Sequence, residues 1–98
     1  MKIPDEIDFV IIARQFDDKK NEIVFIEKAN PAGVTSFEYR FEIIRNMKDG
    51  KIYFGGALIN NTFSLGQKLN LVQINKEDYL RFDRQAVAKD DFTGIPEL

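Results

Sequence analysis

Apolar and polar positions along this chain follow two different periods, and the changes between them mark out the elements. Ile7 to Phe16 (IDFVIIARQF) is nearly continuous in apolarity and rich in β-branched and aromatic residues. That predicts a strand covered on both faces near its middle. DDKKN at 17–21 is polar throughout, and EIVFIEKA at 22–29 returns to a β-favouring run, so the two runs predict an antiparallel hairpin.

NPAGVTS breaks the pattern with Pro31 and Gly33 and leads into the clearest helix signal of the chain. Thr35 stands three residues before Glu38, the spacing of a capping box, which predicts a helix starting near Ser36. At helical spacing Phe37, Phe41 and Ile44 share a stripe widened by Ile43 and Met47, with Glu38, Glu42 and Arg45 opposite. The stripe is expected to pack on a sheet, and Phe41→Ala then costs about 3 to 5 kcal/mol. Lys48 and Gly50 supply the stop signal.

KIYFGGALI at 51–59 reads as a third strand, in which Gly55 and Gly56 predict a bulge or a break. NNTFSLGQ reads as a loop, KLNLVQI at 68–74 as a fourth strand, NKED as a turn and YLRF at 79–82 as a short fifth strand. The expected order is therefore β-β-α-β-β-β. It describes an α+β fold with a curled, mostly antiparallel sheet and one helix packed on it. Neither a repeat nor a linker divides the 98 residues, so one domain over 1–98 is expected, with residues 1–6 flexible.

Composition narrows the chemistry. Hydrophobic residues make up 44% of the chain and charged residues 31%, a globular rather than disordered balance, and nine phenylalanines predict an aromatic core. The absence of cysteine removes disulfides, thiolate nucleophiles and cysteine-bearing metal sites. The absence of histidine removes the commonest general base near neutral pH and the commonest transition-metal ligand. The apolar run near the N-terminus is far shorter than a membrane span, so no membrane association and a cytoplasmic location are expected.

Net charge is −2, which gives no overall field for nucleic acid. Its distribution is uneven: residues 28–89 hold 10 basic and 6 acidic side chains, and residues 90–98 hold three acids and no base. Within the central segment Tyr53 and Phe54 lie near Lys51, and Tyr79 and Phe82 near Arg81 and Arg84. On an open sheet face such residues stack bases and hold phosphates, although KIYFGGALI is not the pattern of RNA-binding sheets and aromatics on strands of a small domain are mostly core.

The remaining constellations are weaker. Asp17 with Asp18 reads as a solvated turn, and Asp90 with Asp91 as a turn folding back on local amides. Gly55 and Gly56 lack the lysine and hydroxyl of a phosphate loop. No serine or threonine has a histidine to activate it, and no serine is followed by lysine at the S-x-x-K spacing. Catalytic residues, cofactors and metal ligands are therefore not expected. A ligand or partner surface is expected around Tyr53, Arg81, Arg84 and Asp91.

The order of IIARQF, a hairpin, a helix ending in IIRNMKDG, YLRF and finally DDFTGIPEL resembles a family of small bacterial and archaeal domains of unknown function. In that family a "YLR" strand precedes a closing "D-N/D-L-x-x-L-P" segment, matched here by Tyr79, Leu80 and Arg81, then by Asp90, Asp91, Phe92, Ile95 and Pro96. Phe82, Asp91, Phe92 and Ile95 depart from the family's usual threonine, asparagine and leucines. The resemblance implies no activity; it implies that the closing segment belongs to the domain. Phe92 and Ile95 are too large to leave exposed together, so residues 90–96 are expected to dock, and truncation after Lys89 is expected to destabilise.

The function these readings favour is a small non-enzymatic binding or interaction module, with a protein partner or self-association through a sheet edge. The alternative is a nucleic-acid-binding domain using the central basic and aromatic segment. An enzyme built on carboxylates and a metal ranks third.

Overall fold

A computed structural model describes residues 4–60 and 62–98, with backbone only at 58, 59, 62 and 63. Seven strands and one helix lie among the described residues: β1 (Phe9–Asp17), β2 (Glu22–Ala29), β3 (Thr35–Tyr39), α1 (Arg40–Lys48), β4 (Tyr53–Ile59), β5 (Thr62–Lys68), β6 (Asn70–Ile74) and β7 (Glu77–Arg81). The class is α+β, but the order is β-β-β-α-β-β-β-β rather than β-β-α-β-β-β. Five strands form a sheet in the order β3-β2-β1-β4-β5, and β6 and β7 form a separate hairpin. The sheet is antiparallel except where β1 runs parallel to β4. The expectation for residues 1–6 falls at residues 1–3 outside the described residues, while the Pro4 carbonyl accepts the Ile7 N–H at 3.1 Å.

Two added strands, β3 and β5, correct the sequence reading. Residues 35–39 are extended because the preceding loop closes a hairpin. The Asn30 side chain accepts the N–H groups of Ala32 and Val34 at 3.0 Å each, and Gly33 supplies the left-handed φ of +84° that the turn needs. Once the Asn30 N–H donates to the Val34 carbonyl at 3.0 Å, the chain is committed to pairing with β2. The helix starts four residues later than the Thr35 signal placed it, capped at Tyr39, with Glu42 Oε1 accepting the Tyr39 N–H at 3.1 Å in place of a Thr35–Glu38 box. From Thr62 onward the expected loop NNTFSLGQ is strand instead: Thr62 pairs with Ile59, and residues 62–68 run as β5 beside β4.

The helix stripe is also different. Ile43 is its fully buried residue, with Ile44 and Met47 packed beside it, whereas Phe37 and Phe41 are 64% and 66% exposed. At 35–39 a period of two replaces the expected 3.6, so Phe37 points to the other face of the sheet. Phe41 sits on the first turn, outside the contact.

The main core lies on one face of the sheet. Ile11, Ile23, Ile26 and Tyr53 meet Ile43 of α1, Leu80 of β7, Leu69 at the entry to β6, and Phe92 and Ile95 of the closing segment. Val10, the strand neighbour of Ile11, belongs to a second cluster with Ile7 and Ala29 on the opposite face. Gly55 and Gly56 mark a register shift between β4 and β5. A Cβ at Gly55 would stand 2.7 Å from the Phe82 ring and push that ring aside, and one at Gly56 would stand 2.6 Å from a Val10 methyl and 2.8 Å from the Ser64 carbonyl, so close backbone approach demands glycine at position 56.

The closing segment lies against the sheet edge of β1 near Arg14. Arg14 N–H donates to the Pro96 carbonyl at 3.0 Å, and Leu98 N–H donates to the Arg14 carbonyl at 2.8 Å. Asp90 is fully buried and accepts four hydrogen bonds: from Ile23 N–H at 2.8 Å, Leu80 N–H at 2.9 Å, and Arg40 Nε and Nη2 at 2.8 and 3.1 Å. One carboxylate thus ties β2, β7 and α1 together.

Candidate interaction surface

The four residues expected to form a ligand or partner surface do not gather on one. Arg81 and Asp91 do meet, with Arg81 Nη2 at 3.2 Å from Asp91 Oδ2, but the guanidinium is buried and committed. It forms two bonds to Asp83, at 2.6 and 2.9 Å, and one to the Lys89 carbonyl at 2.7 Å. Arg81 therefore holds the 82–90 loop shut as a structural staple. Its hydrogen bond holds the Asp83 carboxyl below the ordinary carboxylate range, and a bond from Thr93 does the same for Asp91. Arg84 is exposed on that loop, and Tyr53 is fully buried in β4 on the main core. A face of Tyr53 and Arg81 stacking on bases is not present in this arrangement. A cleft of about 540 Å³ lies beside Asp83 and Asp91 and is lined by Gly55, Gly66, Phe82 and Thr93 among others.

Beneath the β2–β3 hairpin lies a polar network that the sequence reading did not identify. Lys28 of β2 and Glu38 of β3 are both buried and pair at 2.7 Å. Asn46 of α1 donates to Glu38 Oε2 at 2.8 Å, and the Tyr53 hydroxyl donates to Glu38 Oε1. The Lys28 ammonium also sits 3.7 Å from the centroid of the Phe9 ring, a cation–π contact with little water around it. Burial raises the Tyr53 phenol above its ordinary value, and the bond to Glu38 raises it further. The network locks the register of β3, since a slip by one residue would carry Glu38 to the open face and leave Lys28 buried without a partner.

That register turns the aromatic residues of β3 outward. Phe37 and Tyr39 are 64% and 57% exposed on the face away from the helix. Phe25 of β2 stands between them, with ring centroids 5.8 Å from Phe37 and 6.3 Å from Tyr39, both edge to face. Phe41 stacks on Tyr39 at 6.3 Å with the rings 8° from parallel. Tyr39 separates two hollows, one of about 310 Å³ against Phe25 and Phe37, the other of about 360 Å³ against Val24, Arg40 and Phe41. The four rings form one apolar patch, with Phe37, Tyr39 and Phe41 each more than half exposed.

The patch borders an open strand edge. β3 and β5 are the outer strands of the sheet. β5 carries exposed Lys68 at its end, Gly66 in its interior and a register shift against β4, features that blunt an edge. β3 reads Thr-Ser-Phe-Glu-Tyr, and its only charge, Glu38, points into the network. Because Asn30 bonds Val34, the alternate pairs Lys28–Ser36 and Ile26–Glu38 carry the bonds to β2, which leaves the N–H and C=O groups of Thr35 and Phe37 facing outward.

Among the described residues no three Asp or Glu side chains gather in a way that could hold a metal ion, and no helix is long and apolar enough to cross a membrane. Comparison of the chain with family models, with curated proteins and with solved structures found no match, so these contacts are the basis on which a function can be read.

Proposed function

We propose that this chain is a non-enzymatic interaction module that binds an extended protein segment along β3, with Phe25, Phe37, Tyr39 and Phe41 as its apolar anchors. The observation that carries the reading is the inversion at β3: the one charge of the strand is buried and paired, while its two aromatic rings are exposed beside unpaired backbone groups. A strand added at this edge gains main-chain hydrogen bonds for affinity and ring contacts for selectivity. Neither the resemblance to domains of unknown function nor the cleft beside Asp83 supplies an equally specific feature.

Selection of random linear peptides on the immobilised chain tests the reading. Peptides so obtained are expected to be β-favouring and apolar at alternate positions, and to shift the amide resonances of residues 35–39. Phe37→Ser is expected to weaken their binding about tenfold or more, without changing the melting temperature. Binders that map to another surface, or that tolerate Phe37→Ser, would overturn it.

A further inference from the structure

The β3 edge is complementary to itself. We infer that its occupant is β3 of a second copy of the chain, paired antiparallel about a two-fold axis through Phe37. This inference rests on the reading of β3 as an interaction edge and adds the identity of the partner.

Register carries the argument. A two-fold at Phe37 is the one centre that pairs all five residues of β3, setting Thr35 against the partner's Tyr39, Ser36 against the partner's Glu38, and Phe37 against the partner's Phe37. Thr35 and Phe37 are the residues whose backbone groups face outward, so the central Phe37 pair can exchange two N–H···O bonds. On the aromatic face, ring meets ring at the centre and ring meets β-branched residue on either side, both favourable cross-strand pairs. On the helix side Glu38 meets a serine hydroxyl, and no two like charges are opposed. Moving the axis to Glu38 would set carboxylate against carboxylate, and moving it to Ser36 would leave Tyr39 opposite Gly33.

Charge and area agree with a self-association of moderate strength. The hollow flanking Tyr39 is edged by Asp17 and Glu22 together with Lys20 and Arg40, a balanced set that does not repel its own copy. An aromatic side chain offers about 150 to 250 Å². Phe37, Tyr39 and Phe41, at 64%, 57% and 66% exposure, thus contribute roughly 300 to 450 Å² per copy, to which Val34, at 62% exposure, adds. A standard interface uses about 800 Å² per partner, so the dimer is expected to form in the micromolar range and to be concentration-dependent.

Sedimentation of the full chain from about 5 to 500 µM is expected to show conversion from the 11.3 kDa monomer to a species of twice that mass. Phe37→Asp opposes two carboxylates at the axis and is expected to hold the chain monomeric throughout, with its melting temperature at low concentration unchanged. The absence of cysteine allows a direct test of register. Under mild oxidation Phe37→Cys is expected to yield a disulfide-linked dimer, and Ser36→Cys, which crosslinks only if the axis lies at residue 36, is expected to yield none. A chain that stays monomeric at 500 µM, a dimer indifferent to Phe37→Asp, or crosslinking of Ser36→Cys in place of Phe37→Cys would each overturn the inference. Peptides that bind along β3 of a chain that never dimerises would overturn the second copy alone and leave the interaction edge standing.

Discussion

Residues 35–41 (TSFEYRF) and residues 90–96 (DDFTGIP) both interleave acids with large aromatic side chains, and the molecule treats them in opposite ways. In the closing segment Asp90 and Phe92 go inward together, the carboxylate onto the Arg40 guanidinium and two strand amides, the ring onto the main core. On β3 the acid goes inward alone, and the rings beside it face solvent. The difference is one of register. In an extended chain neighbouring residues take opposite sides, so an acid and a ring two apart share a fate while an acid and a ring one apart are divided. Whether the acid or the ring of such a divided pair is buried then depends on what waits inside. At β3 that is Lys28, a charge that would be costly to leave alone.

The widest separation between the two regions is expected from ring deletions. Phe92→Ala removes a fully buried ring that packs on Phe82 at 5.3 Å, and should destabilise by about 3 to 5 kcal/mol. Phe41→Ala removes an exposed ring and should change the stability of the monomer by no more than about 0.5 kcal/mol. Denaturant melts at low concentration measure both. Equal losses in the two variants would break the comparison.

The next effect tests whether Lys28 and Glu38 set the register. Glu38→Gln or Lys28→Met each strands a buried partner and is expected to cost about 3 kcal/mol, toward the lower end for such breaks because Asn46 and Tyr53 still satisfy part of the site. The double variant Lys28→Met with Glu38→Gln removes both charges, keeps an acceptor for Asn46 and Tyr53, and is expected to lose less than the two single changes together. If the three losses simply add, the network is not a coupled unit, and the exposure of Phe37 needs another cause.

These energies also explain what could be read from the sequence. The β1–β2 hairpin, the glycine irregularity at 55–56 and the helix stop beyond Lys48 rest on local signals, and local signals suffice for them. β3 was hidden because two patterns coincide over the same residues. Thr35 and Glu38 have capping-box spacing, and Phe37, Phe41 and Ile44 have helical spacing, so a strand of five residues followed at once by a helix looks like one longer helix. β5 was hidden for a different reason: a polar run becomes a strand only when β4 lies beside it. Of the four residues proposed as a surface, the pairing of Arg81 with Asp91 was visible as a charge match, but its burial depends on the 82–90 loop folding back. Tyr53 looked accessible because neighbouring residues in a strand cannot be assigned to a face without the register. One signal did point to β3. In EIVFIEKA, Ile26 and Lys28 share a face, and a lysine on a buried face requires an acid nearby on the same face, which Glu38 supplies from the diagonal position opposite Ile26.

The smallest effect at neutral pH concerns the phenol that anchors this network. The Tyr53 pKa is raised in the folded chain by burial and by its bond to Glu38, above an unfolded value of about 10. Below that value both states are protonated, and the contribution of the phenol to stability is fully present. As pH rises beyond about 10 the unfolded state releases its proton first, so stability falls until the folded pKa is reached. The phenolate absorbance of wild type minus that of Tyr53→Phe is therefore expected to stay flat through pH 10 and to appear only with loss of the folded signal, and stability in this range should fall more steeply for wild type. A Tyr53 phenolate titrating reversibly near pH 10 in the folded protein would show that the site is open to water. The distinction bears on the proposed interaction edge as well, because Glu38 joins β3 to the core through Tyr53. Loss of that proton together with the folded signal should release the strand that carries Phe37 and Tyr39, so the proposed self-association is expected to weaken over the same alkaline range in which the fold is lost.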